Sequence, residues 1–478
     1  MALTINQYPY LSISATQGAQ PIGQQIIFSV IDTSSLATYF NIKYIANVYV
    51  SNQALTGASP LRGTFKTTPN NAGAGIFDLR PVLEPFLKPD NLGSTLGNGS
   101  RYKQTDTTIP IHLIDQCSQS DNSIKYVAII FTIEGSTTAT GTISVIDAIN
   151  SSQYTFFNGV LQYDNVLENS PTGQLFGYGY NLQKNLLMTS SPLYGQKSFL
   201  SNAPTTQYAN LEDYGTFAFL NFMPSATNKI AEVEIKYYNS AGGLLNTETR
   251  NVDFANGAAT ILGDSNTQLI YAGLFPGNLR NHSSSMFNGL ITAGTIQGGY
   301  YTVQAVTELG GVNKIYTIQL NCPSGLGYEP IRLTWLNQWG VWDYYTFTQK
   351  SVKSISTNRA PYTQISGTWN ETKLSINGYQ GGRKNFRVNT SERIKMNTDF
   401  VTEAEGVWLE ELINSPEVYI LNGFDDTEVA PYDTITNKYV EPVTLTTSSY
   451  TKKTRANDKL MQYTIEVERS KNRRTQAV

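Results

Sequence analysis

"KYIANVYVS", residues 43–51, places Tyr44, Ala46, Val48 and Val50 on one side of an extended chain and Lys43, Ile45, Asn47 and Tyr49 on the other. A period of two sustained over nine residues is the pattern of a β-strand with one face in a core. Similar text surrounds it: "QIIFSVI" (25–31), "TIPIHLI" (108–114), "KYVAIIFTI" (125–133) and "TGTISVI" (140–146), all separated by turn-rich sequence. The spacing predicts an antiparallel β-sandwich over residues 1–149. A short helix interrupts it, with Asp78 as cap, Pro81 in the first turn, and Leu83, Phe86 and Leu87 on one side.

The pattern changes after 149. Residues 150–205 hold aromatics without a sustained period and are broken by Gly, Pro and Asn, so an extended connector is expected, lying against a neighbouring subunit. Alternation returns in "IAEVEIKYYN" (230–239), followed by the turn "NSAGG", and again in "YYTVQAVTELGGVNKIYTIQL" (300–320), where Gly310 and Gly311 supply a turn. A second sandwich over 206–325 is expected.

The third region, 326–478, contains all five tryptophans. In "IRLTWLNQWGVWDYYTF" (331–347), Ile331, Leu333 and Trp335 share a face, and a turn over Asn337–Gly340 leads into a second strand. Trp342, Tyr344 and Thr346 then lie opposite Val341, Asp343, Tyr345 and Phe347. Flat rings stack on sugars, but aromatics on both faces of a hairpin fit a core on one side and an interface on the other. Further on, Thr402 and Glu405 have capping-box spacing, and Trp408, Leu409, Leu412 and Ile413 form the apolar side of a helix over 403–414. Two strands follow, in "PVTLTTSSYTKK" and "LMQYTIEVERS". The expected fold is mainly β and multi-domain: two β-sandwich (Ig-like) domains and a C-terminal β-barrel or sandwich with one short helix.

Composition narrows the function. Net charge is −3 with only 15% charged residues, so no global field recruits nucleic acid or an anionic membrane. No apolar run of about 18 residues is present and the N-terminus has no secretion-signal pattern, which leads us to expect a soluble product of a cytoplasm. Cys117 and Cys322 read as buried free thiols. A low-charge protein rich in Ser, Thr, Asn and Tyr, without export signal or disulfide framework, fits a virion component made in a host cytoplasm.

Catalytic motifs are weak. "ILGDSNTQL" (261–269) contains Gly263, Asp264 and Ser265, yet no histidine follows His282, so a turn is expected rather than an esterase nucleophile. His112, in a strand pattern, and His282, in a polar loop, do not build a metal site by themselves. No pair of facing carboxylates is identifiable, and no cofactor is expected. "NGYQGGRKNFR" (377–387) reads as a hairpin turn with exposed cations. The C-terminal region is locally basic: Lys452, Lys453, Arg469, Arg473 and Arg474 stand out, as a solvated strand face or as a contact for an acidic neighbour or for DNA in a channel.

"MALTINQYPY", "YIANVYVSN", "GIFDLRPVLEPFL", "RLTWLNQWGVWDYYTF" and the C-terminal text from "EGVWLEELINSPEVYIL" to "IEVERSKNRRTQ" together resemble virion structural proteins of tailed bacteriophages, as in crAss-like, Bacteroidetes and marine phages. The resemblance covers both ends of the chain and weakens between 150 and 300. It implies a non-enzymatic subunit that forms a ring with copies of itself in the tail, baseplate or head-to-tail connector, contacting other virion proteins and no membrane. It also implies a likeness of the C-terminal region to tail-tube-like domains. The anchor or interface residues expected are Trp335, Trp339, Trp342, Tyr344 and Trp408. The alternative is a receptor- or glycan-binding tail component, with Trp339 among the sugar contacts.

Overall fold

Alternation is satisfied where it was strongest. In the computed structural model, Phe40–Ser51 is a twelve-residue strand whose Tyr44, Ala46, Val48 and Val50 are buried. Its partner Ile124–Ser136 runs antiparallel beside it, from Tyr126 opposite Ser51 to Ser136 opposite Phe40. The structure describes residues 2–9, 19–52, 59–94, 108–120, 122–162, 185, 197–221, 230–252, 269–282, 285–307, 310–320, 327–422, 439–448, 461–471 and 473–477.

The protein is mainly β and divides into two compact units. The first takes Met1–Pro323 together with Leu336–Tyr344. One sheet of it orders Ala19–Pro21, Tyr154–Phe157, Ile124–Ser136, Phe40–Ser51 and Leu61–Thr67, with Ser144–Asn150 alongside Ile124–Ser136. A three-stranded sheet of Thr4–Gln7, Ile27–Ile31 and Ala74–Asp78 shares its core, in which Phe28, Phe77, Phe131 and Tyr154 meet ring to ring. Another sheet orders Thr206–Ala209, Tyr316–Leu320, Tyr300–Thr307, Glu232–Tyr238 and Leu244–Asn251, with Gly310–Gly311 on Tyr300–Thr307.

Three sequence expectations change here. Cys117–Gln119 pairs with Leu269–Gly273, so residues placed on opposite sides of the 150–205 boundary join in one sheet, and 1–149 and 206–325 form one compact unit. Tyr154–Phe157, expected in a connector, is a fully buried strand, because its four consecutive side chains are covered on both faces; most of the remaining connector lies outside the described residues. "TIPIHLI" is not one strand: Thr108–Pro110 is extended, and Ile111–Leu113 turns into a 3-10 helix after Pro110.

Shorter helices behave likewise. The one expected near Pro81 is a single turn, Arg80–Leu83, continued by the 3-10 turn Glu84–Phe86, while the Asp78 carboxylate accepts from the Arg80 and Ile26 amides. Thr33–Thr38, Pro276–Asn281 and Met286–Thr292 are helices with no clear apolar period to announce them.

The second unit comprises Ser324–Trp335, Tyr345–Asn422 and Lys438–Val478. The eight-stranded sheet to which it contributes runs Trp342–Phe347, Ile331–Leu336, Val418–Leu421, Val440–Leu445, Thr464–Arg469, Gly382–Asn397, Val352–Gln364, with Arg473–Ala477 also on Gly382–Asn397. It is an open sheet: among the described residues the two end strands do not meet, so no barrel closes. The helix Glu403–Asn414 begins with the expected capping box, Thr402 Oγ1 accepting from the Glu405 amide and Glu405 accepting from the Thr402 amide at 2.7 Å. Its Trp408, Leu409 and Leu412 are buried. No helix among the described residues is long and apolar enough to cross a membrane.

Candidate functional site

The aromatic anchors are inside the protein. The turn of their hairpin is built as expected, with the Asn337 amide donating to Val341 O at 2.8 Å and Gly340 at φ +72°. Trp342 is buried and its Nε1–H donates to the backbone oxygen of Asp90 at 2.7 Å. Tyr344 shares its hydroxyl with His112 Nδ1 and Thr216 Oγ1, both at 2.9 Å. Trp339 is only 5% exposed. In the second unit, Trp335 and Trp408 pack with ring centroids 5.2 Å apart, and Tyr345 meets Trp408 edge-on. All five residues therefore anchor the chain's own interior, because both faces of the hairpin are covered, and Trp339 is not placed to stack on a sugar.

Nucleophile and metal chemistry finds no support in the described groups. Burial pushes the Cys117 thiol up to about 12, the opposite of an activated thiolate. His282, after helix Pro276–Asn281 rather than in a polar loop, is pulled down to about 4 by burial and by the nearby Arg250 guanidinium. His112 is fully enclosed between Trp342 and Tyr344. Buried Arg250 pairs with Glu248, which accepts from the Tyr237 hydroxyl at 2.8 Å. No group of three or more His, Cys, Asp or Glu among the described residues is arranged to hold a metal. The Gly263–Ser265 turn and Cys322 lie outside the described residues.

The exposed chemistry lies elsewhere, on a long hairpin that sequence reading recognised only at its turn. Val352–Gln364 and Gly382–Asn397 pair antiparallel from Val352 opposite Lys395 to Gln364 opposite Gly382, with a bulge at Ala360/Pro361. Thirteen residues of strand extend about 40 Å at roughly 3.3 Å per residue. At its base, Ile394 and Met396 are buried and pair with Val467 and Ile465 of the neighbouring strand. Beyond that point Ser, Thr, Asn, Lys and Arg occupy both faces and the apolar residues, such as Ile355 and Phe386, are too scattered to form a core; every residue from Val352 to Pro361 is exposed. Val352–Gln364 is an outer strand, paired on one side only. We call this hairpin, with its 365–381 tip, the arm.

Its tip is structured. The Thr368 amide donates to Ser375 O, the Ser375 amide to Thr368 Oγ1, Trp369 Nε1 to Ser366 O, and Lys384 Nζ to Gln364 Oε1. Gly367 and Gly381 take positive φ, and a side chain at Gly381 would run into Ser366. On this frame Ile365, Trp369, Leu374, Ile376 and Tyr379 are each more than half exposed, Trp369 at 71% and Ile376 at 75%. Apolar side chains concentrated in this way mark an interaction surface. Cations accompany them: residues 352–397 hold eight Lys and Arg against two Glu, while the rest of the chain holds 26 against 35. Arg359, Lys373, Arg383, Arg387 and Lys395 make no ion pair among the described residues; Lys353 and Arg393 are paired with Glu329 and Glu468.

The basic C-terminal residues divide. Arg469 is neutralised between Glu392 and Glu441, at 3.5 and 3.1 Å, rather than solvated. Arg473 and Arg474 sit on a strand paired with Thr390 and Asn389 of the arm, and Lys452 and Lys453 lie outside the described residues.

No family model matches the chain, and no curated protein matches it. Among solved structures, the native conformation of E. coli alpha-2-macroglobulin, a cryo-EM single-particle reconstruction, aligns at 8% identity with a TM-score of 0.17, covering 82% of this chain. The chain spans 22% of that protein's length, and a likeness at this score carries no argument.

Proposed function

We propose that this chain is a non-enzymatic structural subunit of a tailed-bacteriophage virion, forming an oligomeric ring in the tail, baseplate or head-to-tail connector. The carrying observation is the arm: a chain that buries its tryptophans elsewhere exposes Trp369 with Ile365, Leu374, Ile376 and Tyr379 at the end of a hydrogen-bonded hairpin. Leaving that much apolar surface in water is unfavourable by about 25 cal/mol per Å², a cost that assembly removes. The resemblance of both ends of the sequence to phage virion proteins supports the particle in which assembly takes place. Such a subunit acts by shape and contact area, in several symmetric copies. Native mass measurement of the purified full chain tests this: the expectation is one closed oligomer, and a protein of the same mass in purified particles. A chain that stays monomeric at high concentration and is missing from particles overturns it.

A second reading has an observation of its own. Trp369 and Tyr379, exposed at the tip, are the aromatics placed to stack on a host-surface glycan, in the role sequence reading assigned to Trp339. Glycan-array binding by the full chain, lost in Trp369→Ala, supports it; an unchanged array removes it.

A further inference from the structure

We infer that the arm of one copy docks on the acidic outer face of the Glu403–Asn414 helix of the next copy. The inference rests on the ring reading above and names its contact. Glu403, Val407, Glu410 and Asn414 recur at helical spacing, so they form one stripe on the side opposite buried Trp408 and Leu412, and Phe400 stands exposed just before the Thr402 cap. Phe400 is 63% exposed and Val407 47%. From Thr398 to Asn422 the sequence holds six Asp and Glu and no Lys or Arg. One surface is therefore apolar and cationic, the other apolar and anionic, and complementary potentials of this kind select and orient partners.

Within a single chain neither surface covers the other. The tip side chains, Phe400 and Val407 are all exposed, and Arg383 and Arg387 make no ion pair among the described residues. A second copy brings a cover for both surfaces. Trp369 and Tyr379 alone expose on the order of 300 Å², and an arm about 40 Å long provides the remainder of the roughly 800 Å² that a stable interface takes from each partner. Arm and stripe are different patches, so the contact is heterologous: every copy has one arm to give and one stripe to receive. Such contacts close into rings or propagate.

The test uses sedimentation of the full chain. Arg383→Glu with Arg387→Glu alters the arm; Glu403→Lys with Glu410→Lys alters the stripe. Each variant alone is expected to associate about 100-fold more weakly than the unmodified protein, with its far-UV spectrum unchanged. Mixing the two is expected to restore association, since each retains the surface the other has lost and the reversed charges also match. Independently, Trp369→Cys in one copy is expected to cross-link to Val407→Cys in another under mild oxidation, a readout that survives if a charge variant misfolds. Rings that form equally well in both charge variants, without that cross-link, overturn the docking mode and leave the ring reading standing. An unmodified chain that never associates overturns both. If assembly is unaffected and the arm variant instead loses retention of a short DNA duplex, the arm belongs to nucleic acid and the inference fails.

Discussion

Replacing Trp342 by alanine separates an internal anchor from an intersubunit one. Its ring is 2% exposed, and its Nε1–H donates to the Asp90 backbone oxygen. Asp90 is itself buried, and its carboxylate accepts from Ser120 Oγ at 2.6 Å, the Asn122 amide at 2.7 Å and the Tyr271 hydroxyl at 3.2 Å. Removing a buried Trp side chain costs about 3–5 kcal/mol, and stranding the Asp90 carbonyl adds about 1 kcal/mol or more. Trp342→Phe keeps most of the ring and loses the donor, so about 2 kcal/mol is expected. In urea, with a slope of about 2–3 kcal/mol/M, the alanine variant should unfold roughly 1.3–3 M earlier and the phenylalanine variant about 0.7–1 M earlier. The assay is equilibrium unfolding followed by tryptophan emission, with sedimentation of the same samples in buffer. A Trp342→Ala protein that unfolds with the unmodified midpoint but has lost association would refute the internal role and return this residue to an interface.

Gly340→Ala should destabilise by about 3 kcal/mol, since φ is +72° and the new Cβ would meet the Asn158 carbonyl; a thermal melt unchanged from the parent contradicts this. His282 binds its proton less readily folded than unfolded, so its contribution to stability is complete above about pH 6.5 and is lost as pH falls toward about 4. Denaturant midpoints across that range should fall more steeply for the parent than for His282→Asn, and parallel curves would remove His282 as the cause. Cys117, buried with its thiol raised to about 12, should resist iodoacetamide at pH 8 in the native protein and react in urea, as peptide mass mapping will report; rapid native labelling contradicts its burial.

Periodicity made strands and faces legible, and turn chemistry made hairpins legible. Lys43–Ser51, Glu232–Tyr238 with its "NSAGG" turn, and the Thr402–Glu405 box needed nothing beyond neighbours in sequence. Partner choice was not legible, because a two-residue period says which side is apolar and not what covers it. Nothing in "CSQ" announces its pairing with Leu269–Gly273, nor in "AQP" its parallel pairing with Tyr154–Phe157. The aromatic hairpin reads as half outward because two apolar faces exceed what one core covers. The arm gives no such signal for the converse reason: Ser, Thr, Asn, Lys and Arg on both faces produce no apolar period, and only the glycines at its end stand out in the sequence.

An outer strand thirteen residues long is a hazard for any protein, since unpaired amides and carbonyls invite identical strands to stack without limit. Arg359 sets like charge against like when two such strands align in register, Pro361 offers no amide, and the bulge beside it breaks the even spacing that fibril growth requires. The arm thus carries its own protection against amyloid-type growth, while Trp369 and Tyr379 at its end stay open to contact.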